Sequence, residues 1–327
     1  MKDKIHIIGA GLSGCCLGWH LLKRNQDFTI FEDSPNSAGS LVAAGMLSPV
    51  TGKAFNPSWR IDEFYEDAIS FYQWVESRLA HQIWYDYPVL RLFYDLKDRR
   101  KFEKKCSSNP DLEKWVLGID EKQGGVIWKG SGRLNVRTFV LESRKYFQSL
   151  GFYYEQQAPE EKYQCSIYST GARGLINSQP LSLSHRSAKG EILKVRIPGL
   201  PNKQILSRGT WVVPSGDGDQ TFWVGANYEW DDLSNSPTPE GMSRVVKGLI
   251  TLTELPFEIL DHVAGVRPII RKSEPVIGSI TNLNKRYLMN GLGSKGVLYA
   301  PKTAEYLLKH ILEDREIPSY LDLQHIS

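Results

Sequence analysis

The first 33 residues constrain this chain more than any other stretch. Ile5-His6-Ile7-Ile8 is a short apolar run, followed at once by Gly9-Ala10-Gly11-Leu12-Ser13-Gly14. Leu17, Leu21 and Leu22 then recur at helical spacing to about Asn25, with Gly18 placed for close packing. Phe28-Thr29-Ile30-Phe31 is a second apolar run and ends at Glu32 and Asp33. The pattern predicts strand, tight turn, helix and strand. Gly9 permits the turn, Gly11 lets the backbone approach a pyrophosphate, and Gly14 lets helix and strand pack closely. The helix presents free N–H groups and its positive dipole end to phosphates, with Leu12 and Ser13 in its first turn. Glu32 follows Gly14 by 18 residues, where a carboxylate accepts hydrogen bonds from a ribose. An acid at this place disfavours NADP, whose 2′-phosphate it repels. The plainer reading, a glycine-rich turn in an ordinary βαβ unit, leaves Glu32 without a role.

A signal peptide competes for the same residues, because Met1-Lys2-Asp3-Lys4 precedes the apolar run and Leu12-Ser13-Gly14-Cys15 matches a lipoprotein cleavage box. The run is short, carries His6 and contains three spaced glycines, so the βαβ reading explains more. Composition narrows the rest. The 40 Lys and Arg against 37 Asp and Glu leave a net charge of +3, with no basic arm or acidic tail. Four cysteines without paired spacing argue against a disulfide framework and against a zinc site. No apolar stretch reaches the roughly 20 residues of a membrane span. The expectation is a globular, reduced, cytoplasmic protein of one or two domains with no metal.

A dinucleotide fingerprint does not separate NAD from FAD. A dehydrogenase would continue with regular βαβ units, but here Ser34 to Ala54 is a loop of small residues around Ala43-Ala44-Gly45-Met46. Helices are expected at 61–79, 136–150, 239–252 and 301–313. Strand character is expected within 84–94 and 124–134, and at 165–168, 191–197, 211–214, 221–226 and 286–290. Asp95 to Lys105 is a charged segment. Near the C-terminus, Asn290-Gly291-Leu292-Gly293-Ser294-Lys295-Gly296-Val297 is a glycine-rich turn after a strand, a second anion-ready place. Two nucleotide-sized features at opposite chain ends point to one long ligand bridging them, and FAD is long enough.

These motifs, with Thr170-Gly171, Gly225-Ala226 and Gly265-Val266-Arg267-Pro268, resemble in order the FAD-dependent D-amino-acid oxidase superfamily. Within it, glycine oxidase and the oxidase domain of the bacterial bifunctional tRNA-modifying protein are most similar. The resemblance implies a mixed α/β (α+β) fold. It comprises a Rossmann-like FAD-binding domain of 1–80, 135–180 and 262–327, interleaved with an antiparallel-sheet substrate domain of 81–134 and 181–261. It implies non-covalent FAD held by Gly9, Gly11, Leu12, Ser13, Gly14, Glu32, Asp33, Ala43, Ala44, Gly45, Met46, Thr170, Gly171, Gly291, Gly293, Ser294, Gly296 and Val297. The cysteines lie outside the C-terminal motifs, which argues against a cysteinyl flavin; Cys15 and Cys16 read as packing residues.

The resemblance further implies an oxidase or dehydrogenase of a small-molecule amine or amino acid. Hydride passes from the α-carbon to flavin N5, the imine hydrolyses, and O2 or another acceptor takes the electrons. Arg267 would hold the substrate carboxylate with its two-pronged guanidinium; the alternative is an arginine paired with a structural acid. Lys295 would stabilise negative charge beside the flavin, or be a solvated surface lysine. Tyr228 and Trp230 close the pocket or belong to the core, and Lys53 and Arg60 meet an anionic substrate or the pyrophosphate. Two other functions stay open: a tRNA wobble-uridine-modifying oxidase, which needs a basic approach surface, and a non-catalytic flavoprotein subunit.

Overall fold

The computed structural model describes residues 4–37, 39–159, 165–216, 218, 220–270, 274–281 and 283–325. Met1, Lys2 and Asp3, part of the signal-peptide reading, lie outside them. Two large sheets organise the chain. The first has six strands in the order Tyr153–Tyr154, Phe28–Phe31, Ile5–Ile8, Cys165–Tyr168, Arg286–Asn290 and Val276–Ser279. The first five run parallel and the last antiparallel. The second sheet has eight strands: Glu258–Arg267, Ala188–Arg196, Thr221–Gly225, Thr210–Pro214, Ile205–Arg208, Val89–Leu92, Gly125–Trp128 and Val116–Asp120. Its neighbours are antiparallel except Ile205–Arg208 against Val89–Leu92. The architecture is the expected mixed α/β fold.

The expected βαβ unit forms. Leu12–Lys23 is helical, and its buried face carries Cys15, Cys16, Leu17, Trp19 and Leu21. Burial pushes the Cys15 thiol up to about 12, so Cys15 is an inert packing residue. Gly18 sits where a Cβ would come within 2.9 Å of Ile30 and 3.0 Å of Phe147, so only glycine lets helix and sheet approach this closely.

Helix Ile61–Glu76 buries Phe64, Ala68, Phe71 and Val75, the apolar stripe of the sequence. One expectation needs correction, and two further stretches resolve in more detail. The final helix spans Gly296–Glu313, starting five residues before the expected Pro301. A proline inside a helix cannot donate to the carbonyl four residues back. Here that carbonyl, on Val297, accepts instead from the buried Tyr72 hydroxyl at 2.9 Å, which makes the proline tolerable. The charged 95–105 segment is helix Leu96–Ser107, capped by the Asp95 side chain accepting from Asp98 N at 2.7 Å. It is pinned by Phe102 against Phe55, Phe93 and Trp128. The stretch 84–94 splits into Trp84–Tyr85, in a small three-stranded sheet, and Val89–Leu92, in the large one.

One face of the eight-stranded sheet packs Leu193, Val195, Val212 and Phe222 against Val245 and Leu249 of helix Pro239–Leu249. The other face looks toward the glycine turns of the six-stranded sheet. The strand Glu258–Arg267 crosses the expected boundary at 261/262, so Arg267 is delivered by the eight-stranded sheet.

Candidate active site

A cavity of about 770 Å3 lies between the two sheets. Its wall takes in Gly9, Gly11, Leu12, Ser13 and Glu32 from the first βαβ unit. Ala43, Ala44, Gly45 and Met46 come from the small-residue loop, and Thr170 and Gly171 follow a central strand. Gly293, Ser294, Lys295, Gly296 and Val297 come from the C-terminal turn, and Arg267 from the second sheet. Three expected residues lie off the wall. Gly14 packs behind it, where a Cβ would fall 1.9 Å from the Gly9 carbonyl oxygen. Asp33 turns to an ion pair with Arg173 at 2.5 Å, whose hydrogen bond holds its carboxyl below the usual range. Gly291 is buried with φ +78, near the Glu274 carbonyl.

At one end, Glu32 is 6% exposed and accepts from Ala10 N at 2.9 Å and Ser34 N at 3.0 Å. Buried Arg144 fixes the same turn by donating to Ala10 O and Pro35 O. Gly9 has φ +101, a conformation side chains resist, and a Cβ there would lie 2.7 Å from Ser169 O. Thr170 Oγ1 is buried and has no hydrogen-bond partner among the described residues.

At the other end stand two cations without an acid among the described residues. Arg267 is half-buried; Nη1 donates to Lys189 O at 3.2 Å and Asn227 O at 3.3 Å. Its guanidinium stacks 4.1 Å from the Tyr228 ring centroid. Gly190 makes room for it, since a Cβ there would lie 2.1 Å from Nη2. Burial lowers the Arg267 pKa, opposed by Tyr228, and the group still stays charged. The expected alternative, an arginine paired with a structural acid, is not what these residues form. Lys295 Nζ donates to Thr51 Oγ1 at 3.0 Å and Ser58 Oγ at 3.2 Å. It is not a solvated surface lysine, and burial lowers its pKa.

The remaining candidates divide. Tyr228 lines the cavity, while Trp230 stacks on it from outside at 5.8 Å. Lys53 lines the cavity, but Arg60 pairs with Glu63 and stacks on Tyr320. Sequence reasoning missed Arg91, Trp128, Ser207 and Trp211 on the wall. Only Arg91 left a signal, a lone charge in the apolar run Val89-Leu90-Arg91-Leu92. Among the described residues, no group of three or more His, Cys, Asp or Glu could hold a metal, and no helix is long and apolar enough to cross a membrane.

The family model for FAD-dependent oxidoreductases matches residues 4–309. The chain is 22% identical over 356 residues to the tRNA 5-methylaminomethyl-2-thiouridine biosynthesis bifunctional protein of Marinobacter nauticus, covering 95% of this chain and 56% of that protein. The chain spans about half the length of the curated relatives it matches. Among solved structures, glycine oxidase from Geobacillus kaustophilus aligns with TM-score 0.77 at 17% identity, covering 96% of each chain. Iminodiacetate oxidase from Chelativorans sp. BNC1 aligns with TM-score 0.78 at 17% identity, covering 96% of this chain and 97% of that one. Both share its fold. With the family model covering nearly the whole chain, the protein belongs to the FAD-dependent oxidoreductase family.

Proposed function

We propose that this flavoenzyme oxidises the C–N bond of a small amine or amino acid, with the carboxylate of the substrate on Arg267. Two observations support non-covalent FAD in the cavity: the Gly9 turn leaves no room for a Cβ, and Glu32 stands where a ribose would lie. The glycines at 9, 11, 293 and 296, together with Ala43 to Met46, would hold it. When bound, FAD supplies the acceptor for a hydride from the substrate carbon.

This chain's residues bind and orient. Arg267 offers parallel donors, and no neighbouring acid among the described residues competes for them. The Tyr228 ring fixes the guanidinium plane. Lys295 keeps a cation in a low-dielectric wall, where developing negative charge is stabilised more strongly than in water. The FAD-binding domain would comprise 1–80, 135–180 and 262–327 apart from the end of strand Glu258–Arg267, which belongs with 81–134 and 181–261 in the substrate domain. The reading places the protein in a reducing, cytoplasmic compartment, with O2 or another acceptor completing turnover.

The observation that carries the proposal is Arg267, a half-buried guanidinium without an acid among the described residues, on the same cavity wall as the dinucleotide turn. The test is an absorption spectrum of purified protein, then an anaerobic screen with glycine, sarcosine and D-amino acids. Bleaching of the flavin is expected. Bound FAD that no amine reduces would mean that the substrate class is wrong.

One observation favours a second reading, in which the amine is carried on tRNA. Helix Leu96–Ser107 bears six basic and two acidic residues, an excess larger than the net +3 of the whole chain. Lys101 and Lys105 donate to the carbonyls of Lys53 and Ala54, which places this basic helix at the cavity rim. Salt-sensitive tRNA binding would support this reading, and salt-independent or absent binding would remove it.

A further inference from the structure

The proposed reaction uses Arg267 and Lys295 and leaves one stretch of the cavity wall without a role. There the cavity floor is a cross-strand row. Ile192, Gly225, Trp211, Ser207 and Arg91 sit opposite one another on five neighbouring strands, so their side chains share one face. Gly225 keeps the row low beneath the indole, since a Cβ there would lie 3.0 Å from the Trp211 ring. Four inter-strand steps separate Ile192 from Arg91, about 19 Å along the sheet. The floor therefore runs from the strand beside Arg267 to a second arginine.

Arg91 is only 7% exposed. Its Nη1 makes both recorded hydrogen bonds, to Asp98 Oδ2 at 2.6 Å and Leu92 O at 2.6 Å. Nε and Nη2 have no partner among the described residues, yet they are not among the atoms sealed from solvent. Arg91 itself lines the cavity. An arginine kept only to neutralise Asp98 would present its fork to that carboxylate; this one spends a single nitrogen on it. The plane is steadied by Phe55 at 4.4 Å and Tyr94 at 5.3 Å. Lys53 shares the Tyr94 ring, with Nζ 5.6 Å from the centroid, and is exposed at the rim of the same cavity. Phe55, Val89 and Trp128 make the surrounding wall apolar, which strengthens any charge-assisted bond formed there.

We propose that Arg91 and Lys53 form a second anion subsite, which takes the carboxylate or phosphate at the far end of an elongated substrate. Resting on the reading that Arg267 holds the near end, this names the substrate class: an amine acidic at both ends, joined by an apolar span that crosses Trp211.

The test is calorimetric titration of the FAD-loaded protein with tetradecanedioate, 13-phosphonotridecanoate and tetradecanoate, whose extended chains approach the ~19 Å of the floor. These share about twelve methylenes and differ in the distal group, so the two diacids separate carboxylate from phosphate preference. At least one diacid is expected to bind about tenfold tighter than tetradecanoate, the scale of one charge-assisted contact. Arg91→Lys keeps a cation for Asp98 but loses the free edge, and Lys53→Met changes an exposed loop residue. Either should bring the diacid-to-tetradecanoate ratio toward one. Equal affinities in the wild type, no heat with any diacid, or a ratio unchanged in both variants would overturn the proposal. If the amine screen fails while the ratio holds and responds to the variants, the reaction is misassigned and the subsite stands.

Discussion

Gly190→Ala tests Arg267 without touching it. The new methyl carbon would lie 2.1 Å from Nη2, 2.4 Å from Cζ and 2.6 Å from Nη1. Ordinary contact needs about 3.5 Å, so the guanidinium must retreat by more than ~1 Å. Because it is the far end of a flexible side chain, the strand need not move. The retreat forfeits the bonds to Lys189 O and Asn227 O, each worth about 1 kcal/mol, and the stacking on Tyr228, worth a similar amount. A misplacement of about 1 Å at a positioning group can cost on the order of 100-fold in rate. The assay compares sarcosine with sarcosinamide, which lacks the carboxylate. In the variant, kcat/KM for sarcosine should fall at least tenfold and that for the amide should change little, so discrimination collapses. Flavin content and thermal midpoint serve as folding controls. A folded, FAD-loaded variant with wild-type discrimination would refute the assignment of Arg267 to the carboxylate.

Four further outcomes are expected. Gly14→Ala drives a Cβ to 1.9 Å from a backbone carbonyl that cannot move, so flavin content should drop and urea melts should show a loss of about 3 kcal/mol. Tyr72→Phe leaves the Val297 carbonyl buried without its donor and should cost roughly 1–3 kcal/mol; a loss below about 0.5 kcal/mol would contradict this account of Pro301. Lys295 has its pKa lowered by burial, so a rate limb that needs its cation should fall off below the usual lysine value of 10.5 and vanish in Lys295→Met. Burial first, and then Arg24, lower the His20 pKa to about 4, while its Nε2 donates to Pro301 O at 2.9 Å. Below pH 6.5 the unfolded chain takes up a proton that the folded chain refuses until about pH 4. Stability should therefore decline across that window by up to about 3 kcal/mol, and His20→Gln should flatten the decline.

Much of the cofactor half of the fold was legible because its signals are local. Strand, turn, helix and acid occur within residues 5–32, and each follows from neighbours in sequence. The last helix shows the limit of local rules. Pro301 is a sound start signal on its own, and only a tyrosine 225 positions from Val297 explains how the helix begins earlier and runs through the proline. The charged helix Leu96–Ser107 was obscured for a related reason. It buries only Phe102, so no apolar stripe announced it.

The candidate site divides along the same line. Glycines and Glu32 are readable because backbone geometry demands them where they stand. Arg267 was reached through resemblance, but its lack of an acidic partner among the described residues depends on Gly190, Asn227 and Tyr228 arriving from other segments of the chain. The floor of the cavity was invisible for a stronger reason. Ile192, Trp211, Ser207 and Arg91 carry no common motif, and they become neighbours only through the pairing of five strands. Register is set by which face is buried: Leu90, Leu193 and Val212 turn toward the helix side, which forces Arg91, Ile192 and Trp211 to the other. An arginine placed by that alternation must lie on the cavity face, and Asp98 occupies only one of its nitrogens. The same packing that hides the site from the sequence therefore dictates that a charge stands at its far end.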